Sequence, residues 1–163
     1  MPIRTPSPLR SFVADALPVR VYPTLVEMAQ GAAVEAHRTL AEALKARGRA
    51  RVILACAASQ VRFLRVLTGL RGVDWSRVTL FHMDEYLGVR SDHPASFRKF
   101  VRDHVLARVT PQVFHELTGD AAEPRADLAP ADRAALDTPK DAPLLLALGR
   151  LHEAKAHDVA LAA

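Results

Sequence analysis

The sequence predicts an α/β fold with three layers, in which helices cover both faces of a parallel sheet. Between residues 18 and 109, apolar runs of strand length alternate with segments of helical periodicity in the order β-α-β-α-β-α. Alternation of this kind implies parallel strands that are joined by right-handed crossovers. The chain has 163 residues, 50% of them hydrophobic and 25% charged, which is typical of one globular domain.

The first β-α unit combines an alternating strand with a capped helix. Residues 18–22 read PVRVY, and this alternation predicts the first strand of the sheet. Thr24, followed three residues later by Glu27, predicts a capping box at the start of a helix over Leu25–Arg47. Gly48 follows as the residue that ends this helix.

Two further β-α units follow along the chain. Residues 51–57 form a continuous apolar run, which predicts a strand buried on both faces. Ser59 is placed to cap the next helix, whose apolar stripe covers residues 63–70. Residues 78–81 predict the third strand, and the apolar face of residues 97–109 predicts the third helix.

The composition changes after Phe114, the last of the nine aromatic residues. Residues 121–163 contain 14 alanines, several prolines and few side chains large enough to build a core. We therefore predict two parts: residues 1–120 form the α/β region, and residues 121–163 form a divergent, alanine-rich tail that is weakly ordered or short-helical.

Charge, hydropathy and cysteine content exclude several classes of protein. The net charge is +4, but the basic residues are scattered, so we expect a solvated surface or an attraction for small anions rather than a nucleic-acid partner. No apolar stretch reaches the roughly 20 residues that cross a membrane. The single cysteine, Cys56, excludes an internal disulfide, favours a cytoplasmic location and is interpreted as a packed residue rather than a nucleophile. The seven histidines show no metal-binding spacing.

The first candidate site is the loop at residues 55–60, which follows the second predicted strand. In open parallel sheets, ligands bind outside the carboxyl ends of the strands. The small residues Ala57, Ala58 and Ser59 let backbone amides approach an anion at the start of a helix. An ordinary strand-to-helix turn, capped by Ser59, explains the same pattern, and both interpretations stay open.

The second candidate site is Met83-Asp84-Glu85-Tyr86, directly after the third predicted strand. Two adjacent carboxylates at a buried strand end are costly unless they are hydrogen-bonded, paired or used. One of them can act as a general base next to a carbonyl group. Alternatively, one simply tethers the following loop, and His82 is either a positioning residue for them or a buried polar side chain with a backbone partner.

These loops resemble the glucosamine-6-phosphate deaminase/isomerase family, within the wider group that contains 6-phosphogluconolactonases. Residues 81–88 (FHMDEYLG) and 93–100 (HPASFRKF) are similar to the family pattern F-x-M-D-E-Y-x-G…H-P-x-S-[YF]-x-x-F. Tyr86 resembles the deaminase branch, because the lactonase branch has arginine there. Residues 55–60 stand where the family has A-T-G-[GS]-[ST]-P, from which this chain departs. The resemblance covers residues 19–120 and implies a Rossmann-like fold.

The resemblance implies aldose–ketose isomerisation of an amino-sugar phosphate with loss of the amine. Asp84 matches the base that removes the C2 proton, and no metal or organic cofactor is needed. The resemblance also implies a small phosphosugar as the partner. The predicted substrate-binding residues are Ala57, Ala58, Ser59, Gln60, Glu85 and Tyr86.

Residues 121–163 contain no match to the Gly- and His-rich segment in which the family carries its ring-opening residues. We therefore expect an incomplete site and little or no activity from this chain, since removing several members of a catalytic unit abolishes most activity. A non-catalytic phosphosugar-binding module and a 6-phosphogluconolactonase-like hydrolase are the alternatives. A truncated or frameshifted reading frame and a genuine short protein both explain the divergent tail. An exposed sheet edge predicts a homo-oligomer.

Overall fold

The computed structural model describes residues 5–120 of the chain. It contains a two-stranded hairpin, a three-stranded parallel sheet and helices that pack on one face of that sheet. The strands are β1 (Arg10–Ala14), β2 (Leu17–Val21), β3 (Ala50–Leu54), β4 (Val78–His82) and β5 (Val113–His115). The helices are α1 (Leu25–Arg47), α2 (Val61–Leu67) and α3 (Phe97–Val101). The α/β class and the parallel sheet are confirmed.

The first strand of the structure belongs to a separate hairpin. β2 pairs antiparallel with β1, with Arg10 opposite Val21. The prediction that residues 18–22 open the parallel sheet is therefore wrong. Two residues connect β1 to β2, and so short a link permits only antiparallel pairing. Asp15 turns the chain there with a φ of 52°, and the absence of the usual glycine concealed the turn from sequence reasoning.

Helix α1 begins and ends where its sequence predicts. The Oγ1 of Thr24 accepts a hydrogen bond from the backbone N–H of Glu27 at 3.1 Å and donates one to the Glu27 carboxylate at 2.7 Å. Gly48 ends the helix in the left-handed conformation, with a φ of 72°. The residues that α1 buries against the core are mostly small: Ala29, Gly31, Ala33, Ala36, Leu40 and Leu44.

The parallel sheet has the strand order β3-β4-β5. In β3, Val52 is buried and pairs with Leu80 of β4, whereas Arg51 and Ile53 point to the opposite face and are exposed. The predicted burial of this strand on both faces is therefore wrong, because no element within residues 5–120 covers the second face. β5 has only three residues and was not predicted from the sequence.

Helices α2 and α3 are shorter than their sequences predict. α2 begins at Val61 after a 3₁₀ turn over Ala58–Gln60, and neither element has a side-chain cap, so Ser59 is not the N-cap. α3 is capped by Ser96, whose side chain accepts from the N–H of Lys99, and continues as a π-helical turn over Arg102–Leu106. The most buried large side chains are Leu64, Leu67, Leu80, Val78, Val101 and Val105.

The predicted tail at residues 121–163 lies outside the described residues. Within residues 5–120, no helix combines the length and the hydropathy that crossing a bilayer requires.

Candidate functional site

The two loops singled out in the sequence meet at one edge of the parallel sheet. Leu54, the last residue of β3, pairs with His82, the last residue of β4. The backbone N–H of Met83 then donates to the carbonyl of Leu54 at 3.0 Å, which continues the pairing past the strand ends. The loop at residues 55–60 and the segment that begins at Asp84 are therefore neighbours at the carboxyl edge, where ligands bind in this architecture.

The first loop presents small residues to solvent. Ala57, Ala58 and Ser59 are exposed, so a ligand can approach their backbone closely. Gln60 differs from them, because it is only 3% exposed and its N–H donates to the carbonyl of Ala57 at 2.9 Å. Gln60 therefore supports the turn from inside the protein.

Cys56 lies beneath this loop and is 7% exposed. Burial, together with the smaller effect of the carboxylates of Asp84 and Glu85, raises the pKa of its thiol to about 12. The thiol is therefore protonated at neutral pH and is not a nucleophile. This agrees with its interpretation as a packed residue, and it shows that the carboxylates lie close to the first loop.

Asp84 projects from the edge of the sheet and is exposed. Within residues 5–120, its carboxylate makes no hydrogen bond or ion pair. A carboxylate in this position keeps its lone pairs available to a ligand or to a proton that it removes.

Glu85, the next residue, is held inside the protein, with a side chain that is 2% exposed. Its carboxylate accepts hydrogen bonds at 2.8–3.2 Å from groups at the start of α3 and from the following residue. Burial acts to raise the pKa of Glu85, but these hydrogen bonds outweigh it and lower the pKa to about 2. The donors are the N–H groups of Tyr86, Phe97 and Arg98, the hydroxyl of Ser96 and the Nε of Arg98.

Arg98 lies beside Glu85, and its side chain is 4% exposed. Besides Glu85, its guanidinium binds the carbonyl oxygen of Val89 at 2.6 Å and the carboxylate of Asp120 at 2.8 Å. Sequence reasoning missed both Arg98 and Ser96 as parts of this site. Their signal was the S-x-R spacing at the start of α3, which matters only because Glu85 faces it.

His82 joins the end of β4 to the segment that follows β5. It is 4% exposed, and its Nε2 accepts a hydrogen bond from the N–H of Leu117 at 2.7 Å. Burial lowers the pKa of its imidazole and so favours the neutral ring. The hydrogen bond from Leu117 requires this neutral form, because a protonated Nε2 cannot accept. His82 is therefore a buried side chain with a backbone partner, one of the two roles that the sequence left open.

Tyr86 is 54% exposed, and its ring packs against that of Phe97 with centroids 5.1 Å apart. It lies on the solvent side of the same segment as Asp84. Within residues 5–120, no cluster of three or more His, Cys, Asp or Glu side chains is arranged to hold a metal ion. The chemistry that this edge offers is that of an exposed carboxylate beside a loop of small residues.

Comparison with protein families assigns most of the chain to one family. The family model described as "Glucosamine-6-phosphate isomerases/6-phosphogluconolactonase" matches residues 23–155. This match extends past Asp120, where the resemblance carried by the motifs ends.

Two relatives that match part of the chain are named glucosamine-6-phosphate deaminases. A glucosamine-6-phosphate deaminase from Exiguobacterium is 37% identical over 57 residues, which cover 35% of this chain and 22% of that protein. Glucosamine-6-phosphate deaminase 2 from Giardia intestinalis is 28% identical over 100 residues, which cover 58% of this chain and 38% of that protein. The chain thus matches well under half of the length of these relatives.

Solved structures share the fold. A 6-phosphogluconolactonase from Shewanella baltica matches with a TM-score of 0.58 and 27% identity, over 72% of this chain and 50% of that one. A monomeric glucosamine-6-phosphate deaminase matches with a TM-score of 0.57 and 25% identity, over 64% of this chain and 44% of that one. Together with the match to the family model, these likenesses show that the chain belongs to the family of glucosamine-6-phosphate isomerases and 6-phosphogluconolactonases.

Proposed function

We propose that the carboxyl edge of β3 and β4 binds a phosphorylated amino sugar and that Asp84 is the base of an isomerising deamination. In that reaction, glucosamine 6-phosphate and water give fructose 6-phosphate and ammonia. The base removes the proton from C2 of the ring-opened sugar, and a proton is added at C1 as the double bond moves. The observation that carries this proposal is the exposed carboxylate of Asp84, without a partner in residues 5–120, beside an exposed loop of small residues.

We assign the phosphate to the loop of Ala57, Ala58 and Ser59. Their small side chains leave room for phosphate oxygens to approach the backbone, which supplies donors without a charged side chain. Tyr86, half-exposed on the neighbouring segment, is the remaining contact that we assign to the sugar. Gln60 and Glu85 are engaged within the protein, so we assign them supporting roles rather than contacts with substrate.

The deaminase assignment is supported by Tyr86 and by the names of the curated relatives. Hydrolysis of a phosphorylated sugar lactone is the second candidate. It is favoured by the solved lactonase from Shewanella baltica, which matches 72% of this chain, against 64% for the solved deaminase.

We further propose that these 163 residues turn over substrate slowly or not at all. The motif in which the family carries its ring-opening groups has no counterpart in residues 121–163, and isolated parts of a catalytic unit lose most of its activity. A phosphosugar-binding module without catalysis is the corresponding alternative, and binding therefore has to be measured separately from turnover.

The test combines ligand-induced stabilisation with product release. The purified full chain is melted with glucosamine 6-phosphate, and glucosamine and inorganic phosphate serve as the partial ligands. A ligand at 100 times its Kd stabilises the folded state by about 2.7 kcal/mol, which raises Tm measurably. Ammonia release from glucosamine 6-phosphate and acid release from 6-phosphogluconolactone are assayed in parallel.

Asp84→Asn separates the role of the base from that of the binding loop. We expect this variant to bind glucosamine 6-phosphate much as the wild type does and to lose any ammonia release. Asp92→Asn is the matched control, because Asp92 lies on the same connection between β4 and α3 as Asp84, is exposed and pairs only with Arg90 within residues 5–120. Ammonia release that survives in Asp84→Asn would remove Asp84 from the mechanism, and absence of stabilisation by glucosamine 6-phosphate would refute the binding proposal.

A further inference from the structure

Two adjacent carboxylates at the candidate site have opposite environments. Asp84 is exposed and has no partner within residues 5–120, whereas the side chain of Glu85 is 2% exposed and accepts five hydrogen bonds. The Glu85 side chain is therefore held toward the start of α3, while the neighbouring Asp84 side chain lies at the surface.

Arg98 connects three separate segments around Glu85. Its guanidinium contacts the Glu85 carboxylate at 3.2 Å, the Val89 carbonyl at 2.6 Å and the Asp120 carboxylate at 2.8 Å. A planar guanidinium can bind several acceptors in fixed directions, which an ammonium group cannot do in the same way. Arg98 therefore ties the beginning and the end of residues 85–89 to α3 and to the segment that follows β5.

The segment that follows β5 packs directly on the backbone beside Asp84. The N–H of Gly88 donates to the carbonyl of Gly119 at 2.7 Å. A Cβ added to Gly119 would overlap the carbonyl oxygen of Tyr86 and would lie 3.0 Å from Cγ of Glu85. The backbone around Gly119 therefore packs against the loop, and Arg98 holds it there through the Asp120 carboxylate.

We propose that Arg98, acting through Glu85, is a positioning residue that fixes the loop over residues 84–90 and so presents Asp84 to the ligand. The fixing of the loop is independent of the proposed function, whereas the identity of the ligand rests on it. Arg98 is too deeply buried to contact a ligand, and its effect on binding therefore passes through the backbone that it restrains.

The test measures amide hydrogen exchange in the full chain without ligand, for the wild type and for Arg98→Met. We expect the acceleration of exchange at residues 84–90 and 116–120 to exceed that in α1 and β3 by on the order of tenfold, because the loop opens locally in addition to any loss of global stability. Lys99→Met is the matched control. Lys99 is the next residue of α3 and is half-exposed, so its loss leaves the loop protected.

A second arm measures the Kd for glucosamine 6-phosphate below the melting range of each variant. We expect Arg98→Met to weaken binding about tenfold or more, and Arg98→Lys to weaken it less, because a charge remains but the planar fork is lost. Equal protection of the loop in Arg98→Met and wild type, or an acceleration as large in α1 and β3 as in the loop, would overturn the proposal, as would an unchanged Kd in a folded Arg98→Met variant. If the wild type does not bind, the proposed ligand fails, while the exchange arm still decides the role of Arg98. If Arg98→Met does not fold, Arg98→Lys and Glu85→Gln provide the same comparison.

Discussion

The N–H of Leu117 donates a 2.7 Å hydrogen bond to Nε2 of His82, so the segment after β5 is attached to the end of β4 by one buried imidazole. Protonation of Nε2 would abolish this acceptor. The groups whose charges act on the ring are Asp84, Glu85 and Glu116, all of which favour its protonation, but burial outweighs them and lowers the pKa of His82 below 6.5.

This pKa predicts the pH dependence of stability. Because His82 has a lower pKa in the folded than in the unfolded protein, the unfolded chain binds the proton more readily. The free energy of unfolding should therefore fall as the pH drops below 6.5, until the folded pKa is reached. Urea unfolding between pH 8 and pH 5 measures this slope.

His82→Gln should reduce the slope, since glutamine does not titrate and its oxygen can still accept from Leu117. His93→Gln is the control, because His93 is exposed and the only described hydrogen bond of its ring is the one that Nδ1 accepts from the N–H of Ala95. An identical slope in wild type and His82→Gln would show that His82 does not carry this pH dependence.

Glu85→Gln should destabilise the protein at neutral pH. The buried Arg98 would keep Asp120 but lose its charged partner Glu85, and the donors around residue 85 would face an amide that accepts through one oxygen only. We expect a loss of about 3 kcal/mol in the free energy of unfolding. The folded pKa of Glu85 is about 2, against an ordinary value of 4.5, so its ionised form stabilises the protein above pH 4.5, and this contribution disappears as the pH falls toward 2.

Urea titrations of wild type and Glu85→Gln should thus converge between pH 4.5 and pH 2. Glu42→Gln, at an exposed ion pair on α1, should change stability by less than about 1 kcal/mol throughout. A difference between Glu85→Gln and wild type that stays constant down to pH 2 would contradict the assignment.

Gly119→Ala should destabilise the closed loop. The new methyl group would overlap the carbonyl oxygen of Tyr86, which is backbone and cannot rotate away. We expect a loss of about 1–3 kcal/mol, as for other overpacked sites, measured by urea unfolding. Gly69→Ala is the comparison, because its Cβ would meet its nearest atoms at 3.3 Å or more. A loss at Gly119 no larger than that at Gly69 would show that the segment adjusts freely.

The face of the sheet that no element within residues 5–120 covers should promote self-association. Ile53 of β3 and Val113 of β5 are 43% and 42% exposed, although parallel sheets are usually covered on both faces. We expect sedimentation of the full chain to depend on concentration and Ile53→Lys to weaken that dependence, with little change in stability. Leu87→Lys, on an exposed loop, should leave it unchanged. A wild type that stays monomeric at all concentrations would contradict the predicted homo-oligomer.

Local signals were enough to predict α1 but not the pairing of the strands. Thr24, Glu27 and Gly48 act within a few residues of the helix ends, so the sequence contains their whole effect. The partner of β2 depends on a turn at Asp15 that lacks the usual glycine, and β5 is too short to show a pattern.

The site was predictable in position but not in the roles of its residues. The two loops follow adjacent parallel strands, which places them together for any sequence of this order. The difference between Asp84 and Glu85 arises from Ser96 and Arg98, which lie more than ten positions further along the chain. Without knowledge of that contact, the two carboxylates look equivalent.

The alternation of burial along β3 also selects one alignment of the sheet over its neighbours. A slip of β3 by a single residue would carry Arg51 into the space now filled by Val52 and would expose Val52 to water. The guanidinium would then lie in the hydrophobic core that now holds Val52, and desolvating it would cost more than the slipped backbone hydrogen bonds return. Arg51 thus disfavours this misaligned pairing, even though it is exposed in the structure.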